Sequence, residues 1–163
     1  MNLARIGLGL AVIGAALLNH GTAEATEPHG INLSIHSSVD ANFCVETTPS
    51  GGPEGRTVYM SQCASRDNQR WAFTWNGDNN SVIVGDQGVC LDIRGRKPGD
   101  GKPVQVWKCH FGDNQRFTFT ANGHIRELKS GKCIEAAAAN QNAAVTINEC
   151  KDTEPKQVFS LSH

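Results

Sequence analysis

Apolar residues follow two different rhythms along this chain. From Ile6 to Leu18 they run for 13 residues without a polar interruption, after one basic residue, Arg5, and before small residues that end in Ala23-Glu24-Ala25. That succession is the pattern of an export signal, and the run is too short to span a bilayer comfortably. Cleavage after Ala25 is expected, giving a signal peptide over 1-25, a short linker over 26-30 and a folded domain over 31-163. Downstream the apolar residues alternate instead. The segment Asp67-Asn68-Gln69-Arg70-Trp71-Ala72-Phe73 recurs 46 residues later as Asp113-Asn114-Gln115-Arg116-Phe117-Thr118-Phe119. A weaker copy is Pro155-Lys156-Gln157-Val158-Phe159-Ser160-Leu161. Each copy reads Gln-x-aromatic with an apolar residue two places on, the period of a strand with one buried face. Ser81–Val84, Val89–Ile93 and Val104–Trp107 read the same way. Turn formers such as Asn76-Gly77, Asn122-Gly123 and Ser130-Gly131 separate the runs. Only Glu135–Asn140 has a helix-like composition, and it is short. The pattern predicts an all-β domain of many short strands.

The cysteines keep the same period. They stand at 44, 63, 90, 109, 133 and 150, so consecutive pairs are 19, 19 and 17 residues apart. Export places them in an oxidising compartment. Six cysteines allow 15 connectivities, and the equivalence of the repeats favours Cys44–Cys63, Cys90–Cys109 and Cys133–Cys150, one inside each unit. Zinc would want close CxxC-type pairs or interspersed His, and neither occurs. The units run over approximately 31-78, 79-122 and 123-163. Three units are few for a propeller and suit closure about a pseudo-threefold axis. Aromatic residues number ten, and such closure puts Trp71, Phe117 and Phe159 in one shared core.

Charge and motifs exclude several functions. With a formal net charge of −1, nothing suggests a basic surface for nucleic acid. No second apolar stretch approaches 18 residues, so no membrane span is expected in the mature chain. There is no HExxH, GxSxG or phosphate loop, and pairing leaves no thiol nucleophile. The chain is therefore expected not to be an enzyme and to need no cofactor or metal.

These residues resemble the ricin B-type lectins over roughly Ile31 to His163. The middle repeat carries the resemblance most fully: Val89-Cys90-Leu91-Asp92-Ile93-Arg94-Gly95, then Pro103-Val104-Gln105-Val106-Trp107-Lys108-Cys109, then Asp113-Asn114-Gln115-Arg116-Phe117. The resemblance implies a β-trefoil of three Gln-x-Trp-type repeats with a sugar pocket in each intact one. By that resemblance Asp92 would accept hydrogen bonds from two adjacent sugar hydroxyls, a task suited to two acceptor oxygens. Trp107 would lie against the less polar face of a pyranose, beside Gln105. Asn114 would bond a hydroxyl through its amide, and Gln115 would orient Asp92 or Asn114. His110 and the loop Arg96–Lys102 lie close in sequence.

The outer repeats depart from this pattern. Glu46, Tyr59 and Ser61 stand in the first where Asp92, Gln105 and Trp107 stand in the second, with Asn68 and Gln69 kept. In the third, Glu135, Thr146, Asn148 and Lys156 replace Asp92, Gln105, Trp107 and Asn114. The polar Ser61 and Asn148 imply that this position is exposed in every repeat. Gln69, Gln115 and Gln157 occur whatever the quality of the site, which points to a structural role. One working site is expected, in a secreted lectin (extracellular or periplasmic) for galactose- or N-acetylgalactosamine-type sugars on glycans or glycoconjugates. The alternative is a protein-binding trefoil with a vestigial pocket, partnered by a toxin or hydrolase subunit and making contact through a loop such as Pro49–Arg56.

Overall fold

The computed structural model describes residues 32–49, 52–75 and 81–163. The expected signal peptide over 1-25 and linker over 26-30 lie outside the described residues, as does the Asn76-Gly77 turn. Among the described residues there are twelve strands, four 3-10 turns and no α-helix. Glu135–Asn140 is not helical: its first two residues end a strand and the rest form the turn after it.

Four strands come from each unit. The first supplies β1 Ser34–Ser37, β2 Phe43–Thr47, β3 Val58–Gln62 and β4 Ala72–Trp75. The second supplies β5 Ser81–Val84, β6 Val89–Ile93, β7 Lys102–Lys108 and β8 Phe117–Phe119. The third supplies β9 Ile125–Glu127, β10 Cys133–Ala136, β11 Ala143–Asn148 and β12 Phe159–Ser162. Neighbouring units join edge to edge through β4–β5, β8–β9 and β12–β1, all antiparallel. Within each unit the first and last strands are bridged at equivalent places, Leu33↔Trp71, Ser81↔Phe117 and His124↔Val158. This ring closes without a free end, which removes the exposed edges of an open sheet.

The second and third strands of each unit form a hairpin, and the three hairpins meet over one end of the ring. There β11 pairs with both β3 and β7, and Thr57 bridges to Gln105. The result is a β-trefoil. Its core includes Trp71, Phe117 and Phe159 in one buried cluster with Ile35, Leu91 and Ile134. The larger Trp71 also ties itself down, donating from Nε1 to the Val45 carbonyl at 3.0 Å. Disulfides join Cys44–Cys63, Cys90–Cys109 and Cys133–Cys150.

A repeated side-chain clamp explains the repeated glutamine. Short 3-10 turns at Asp67–Gln69, Asp113–Gln115 and Pro155–Gln157 each end on a fully buried Gln. Its Nε2 donates to the carbonyl just before the second cysteine: Gln62, Lys108 and Glu149, at 2.9, 3.0 and 2.8 Å. Its Oε1 accepts from the backbone N–H just after that cysteine: Ala64, His110 and Lys151, at 2.8, 2.9 and 2.8 Å. Nε2 also donates to the carboxylate on the hairpin: Glu46, Asp92 or Glu135. An amide suits this post because it carries both donors and an acceptor.

Candidate functional site

Hairpin register decides which residues face one another. The first cysteine of each unit pairs across its hairpin with Ser61, Trp107 or Asn148. Two residues on, the facing pairs are Glu46↔Tyr59, Asp92↔Gln105 and Glu135↔Thr146. Strand alternation sends both pairs to the same face, so each unit presents a carboxylate beside the position that Trp107 occupies in the second.

In the second unit these residues line an open cleft of about 560 Å³. Asp92, Gln105, Trp107 and Asn114 line it, joined by Arg94, Gly95, Arg96 and His110 of the same unit and by Gly55 of the first. Trp107 is 38% exposed, whereas Asp92 is only 2% exposed at the base. Gln115 does not line the cleft; it lies fully buried behind Asp92.

The carboxylate is held by amides. Oδ1 accepts from Gln105 Nε2 at 2.9 Å, and Oδ2 accepts from Asn114 Nδ2 at 2.7 Å and Gln115 Nε2 at 2.9 Å. A carboxylate offers about four acceptor directions, two per oxygen. Oδ2 is thus saturated, and Oδ1 keeps one direction open. In this arrangement the carboxylate has room for one further donor. Asn114 is constrained in the same way. Its nitrogen is engaged by Asp92 and by the Ile93 carbonyl at 3.2 Å, so its oxygen is the group left for a ligand. Gln105 is engaged at both ends, its Oε1 accepting from Arg94 Nε at 2.9 Å. His110 Nδ1 accepts from the Gly112 N–H at 3.1 Å, which assigns the ring proton to Nε2, 3.6 Å from Asp92 Oδ2.

In the first unit the same positions are closed by their own side chains. Tyr59 donates its hydroxyl to Glu46 at 2.7 Å, Gln69 donates to the other oxygen, and Arg66 joins it at 3.2 Å. Burial pushes the Glu46 carboxyl up, but the hydrogen bonds from Tyr59 and Gln69 prevail and hold it below its ordinary value. Asn68 turns instead to the Thr47 carbonyl at 2.7 Å. Ser61 corrects the expectation of exposure: it is 1% exposed, covered by Gln141 from the third unit, whose Nε2 donates to it at 3.1 Å. A polar residue is tolerated there because it is hydrogen-bonded. In the third unit Asn148 donates to Thr146 Oγ1 at 3.1 Å and accepts from the Gly101 N–H of the second unit at 2.8 Å.

Three lining residues were given no role by the repeat pattern. Arg94 and Gly95 close the segment that begins at Val89, just beyond the end of β6. Gly55 arrives from a different unit, which no local pattern announces. His36, Cys44 and Cys63 also converge, but the two sulfurs are bonded to each other and offer no thiolate to a metal.

The family model described as Ricin-type beta-trefoil lectin domain matches residues 32–159. No curated protein matches. Among solved structures, the designed three-fold symmetric protein ThreeFoil superposes with a TM-score of 0.74 at 20% identity, over 80% of this chain and 97% of that one. A Polyporus squamosus lectin, bound to the human-type influenza-binding epitope Neu5Aca2-6Galb1-4GlcNAc, gives 0.70 at 17% identity, over 81% and 49%. The agglutinin from Abrus precatorius gives 0.65 at 22% identity, over 82% and 49%. The chain spans about half the length of each of these two lectins. At such identities the likeness establishes the β-trefoil fold.

Proposed function

The chain belongs to the ricin-type β-trefoil lectin domain family, and on that premise we propose that it is an exported lectin whose middle unit binds galactose- or N-acetylgalactosamine-type sugars. One observation carries the reading: an exposed Trp107 stands over a buried, amide-braced carboxylate in an open cleft, while the equivalent positions of the outer units are engaged by their own protein groups. The mechanism is recognition without bond-making. The indole covers the C–H face of a pyranose and excludes water from it. Asp92 Oδ1 and Asn114 Oδ1 each accept a hydroxyl, and the guanidinium of Arg94 donates to a third polar group. One shallow site of this kind supports millimolar-to-micromolar binding of a monosaccharide, about 4–8 kcal/mol. Tight attachment to a cell surface or polysaccharide would then require several copies on one ligand.

A glycan array tests this, with Trp107→Ala as the informative variant. The side chain is exposed, so its removal is expected to leave the melting temperature within a few degrees while abolishing retention on galactose-bearing spots. Asp92→Ala is expected to abolish it too, but strips three amide donors of their buried acceptor and costs about 3 kcal/mol or more of stability. Wild-type protein that ignores every glycan would sink the proposal and leave the protein-partner alternative, to be pursued by pull-down.

A further inference from the structure

The loop that borders the cleft is cationic in a protein that otherwise is not. Between Arg94 and Lys102 stand four basic residues and one acid, against a net charge of −1 for the whole chain. Arg94 and Arg96 both line the cleft, and neither belongs to an ion pair among the described residues. Lys102 is at the rim, with Nζ 3.6 Å from where a Cβ on Gly95 would lie.

The nearby acids are already engaged. Asp92 holds three amide donors, Asp100 is paired with Lys132 at 2.7 Å, and Asp113 with Lys129 at 2.6 Å. Arg94 uses Nε on Gln105, so its two terminal nitrogens remain as a fork. A second hollow of about 360 Å³ adjoins the cleft, sharing Arg96, His110 and Asn114 with it and bounded beyond by Gly112 and Asp113. Arg96 therefore borders both spaces. Its backbone is in the left-handed region, φ 62°, directly after Gly95 at φ 85°. That conformation disfavours any residue with a Cβ, so a long cationic side chain stands where glycine would sit unstrained.

We infer that the cleft selects saccharides carrying a negatively charged substituent, a carboxylate or a sulfate ester, which Arg94 and Arg96 receive while the pyranose lies on Trp107. Planar guanidinium forks match two oxygens of either group, which a neutral hydroxyl does not offer. This inference rests on the saccharide reading of the same site.

The test is an NMR titration of the protein with galactose, galacturonic acid and galactose 6-sulfate. At least one acid is expected to bind about three- to tenfold more tightly than galactose at low ionic strength. That advantage should shrink towards one at about 0.5 M salt, where charges are screened within a few ångströms. Which acid prevails identifies the carboxylate or the sulfate as the source. Arg96→Gln is expected to lower the acid-to-neutral affinity ratio, Arg96→Lys to keep most of it, and Arg96→Gly to lower it as far as Gln does with an unchanged or higher melting temperature. Equal binding of neutral and acidic sugars overturns the inference and leaves the lectin reading standing. An acid preference unmoved by Arg96→Gln overturns the role given to Arg96, and one that also survives Arg94→Gln combined with Arg96→Gln overturns the assignment to this loop. Failure of all three sugars to bind, with the array also blank, overturns the lectin reading and this inference with it.

Discussion

Tyr59 and Gln105 hold the same place in successive repeats and leave their carboxylates in different states. Gln105 gives Asp92 one amide hydrogen and keeps an acceptor direction of Oδ1 open, whereas the Tyr59 hydroxyl closes on Glu46. Burial, then the bond to Glu46 and its charge, push the Tyr59 phenol up to about 12. A group raised in the folded state stabilises fully below its ordinary value, and that contribution is lost as pH climbs through the raised one. Stability is therefore expected to decline between about pH 10 and 12, and urea denaturation against pH should show it. In Tyr59→Phe that decline should flatten, with a loss of about 1–2 kcal/mol at neutral pH from the missing bond to a charged, buried acceptor. Glu46 has the opposite sign: lowered in the fold, it stabilises above its ordinary value of 4.5, and that contribution is lost as pH falls through the lowered one. The chemical identity of these residues was readable in the chain, since Asp92 and Trp107 keep fixed offsets from their cysteines. Which oxygen stays free was not, because that depends on amides brought in from residues 105, 114 and 115.

The 3-10 turn and its glutamine form the smallest element that repeats without loss. Each Gln bonds the backbone on both sides of the second cysteine and the hairpin carboxylate. Gln115→Ala leaves the N–H groups of His110 and Phe111, the Lys108 carbonyl and an Asp92 oxygen short of a partner. A loss of about 3 kcal/mol or more is expected, read from thermal or urea unfolding. Sugar binding should weaken along with stability, in contrast to Trp107→Ala, where only binding falls. The recurrence of Gln69, Gln115 and Gln157 in sites of unequal quality already suggested this structural post. Strand periodicity was a weaker guide. Val89–Ile93 reads as alternating, yet all five residues are buried in β6. Its outward side, which alternation alone would expose, is covered by the site residues packed around Asp92.

At the scale of the molecule, each hairpin loop attends the next unit. Gly55 of the first unit donates to the Val106 carbonyl at 2.7 Å. A Cβ built on it would lie 3.3 Å from Trp107 Cζ3. Gly101 of the second bonds Asn148, and Gln141 of the third covers Ser61. Gly55 has φ 77°, so Gly55→Ala adds backbone strain of about 1–2 kcal/mol and crowds the indole. It is expected to weaken sugar binding several-fold from outside the binding repeat, measured in the same titration beside Trp107→Ala. The sequence by itself determined the threefold β architecture, the buried aromatic of each unit and the residue types of the site, because strand period and cysteine spacing are local properties of the chain. Disulfide partners followed from the same repetition. Only the tertiary structure decided that Ser61 is buried, that Gly55 borders Trp107 and that the cleft adjoins a second hollow at Arg96. The first two outcomes depend on which loop reaches which neighbour, since Ser61 and Gln141, 80 positions apart, and Gly55 and Trp107, also in different units, meet only when the three units close on one another; the third depends on how the Arg96 loop folds back beside His110.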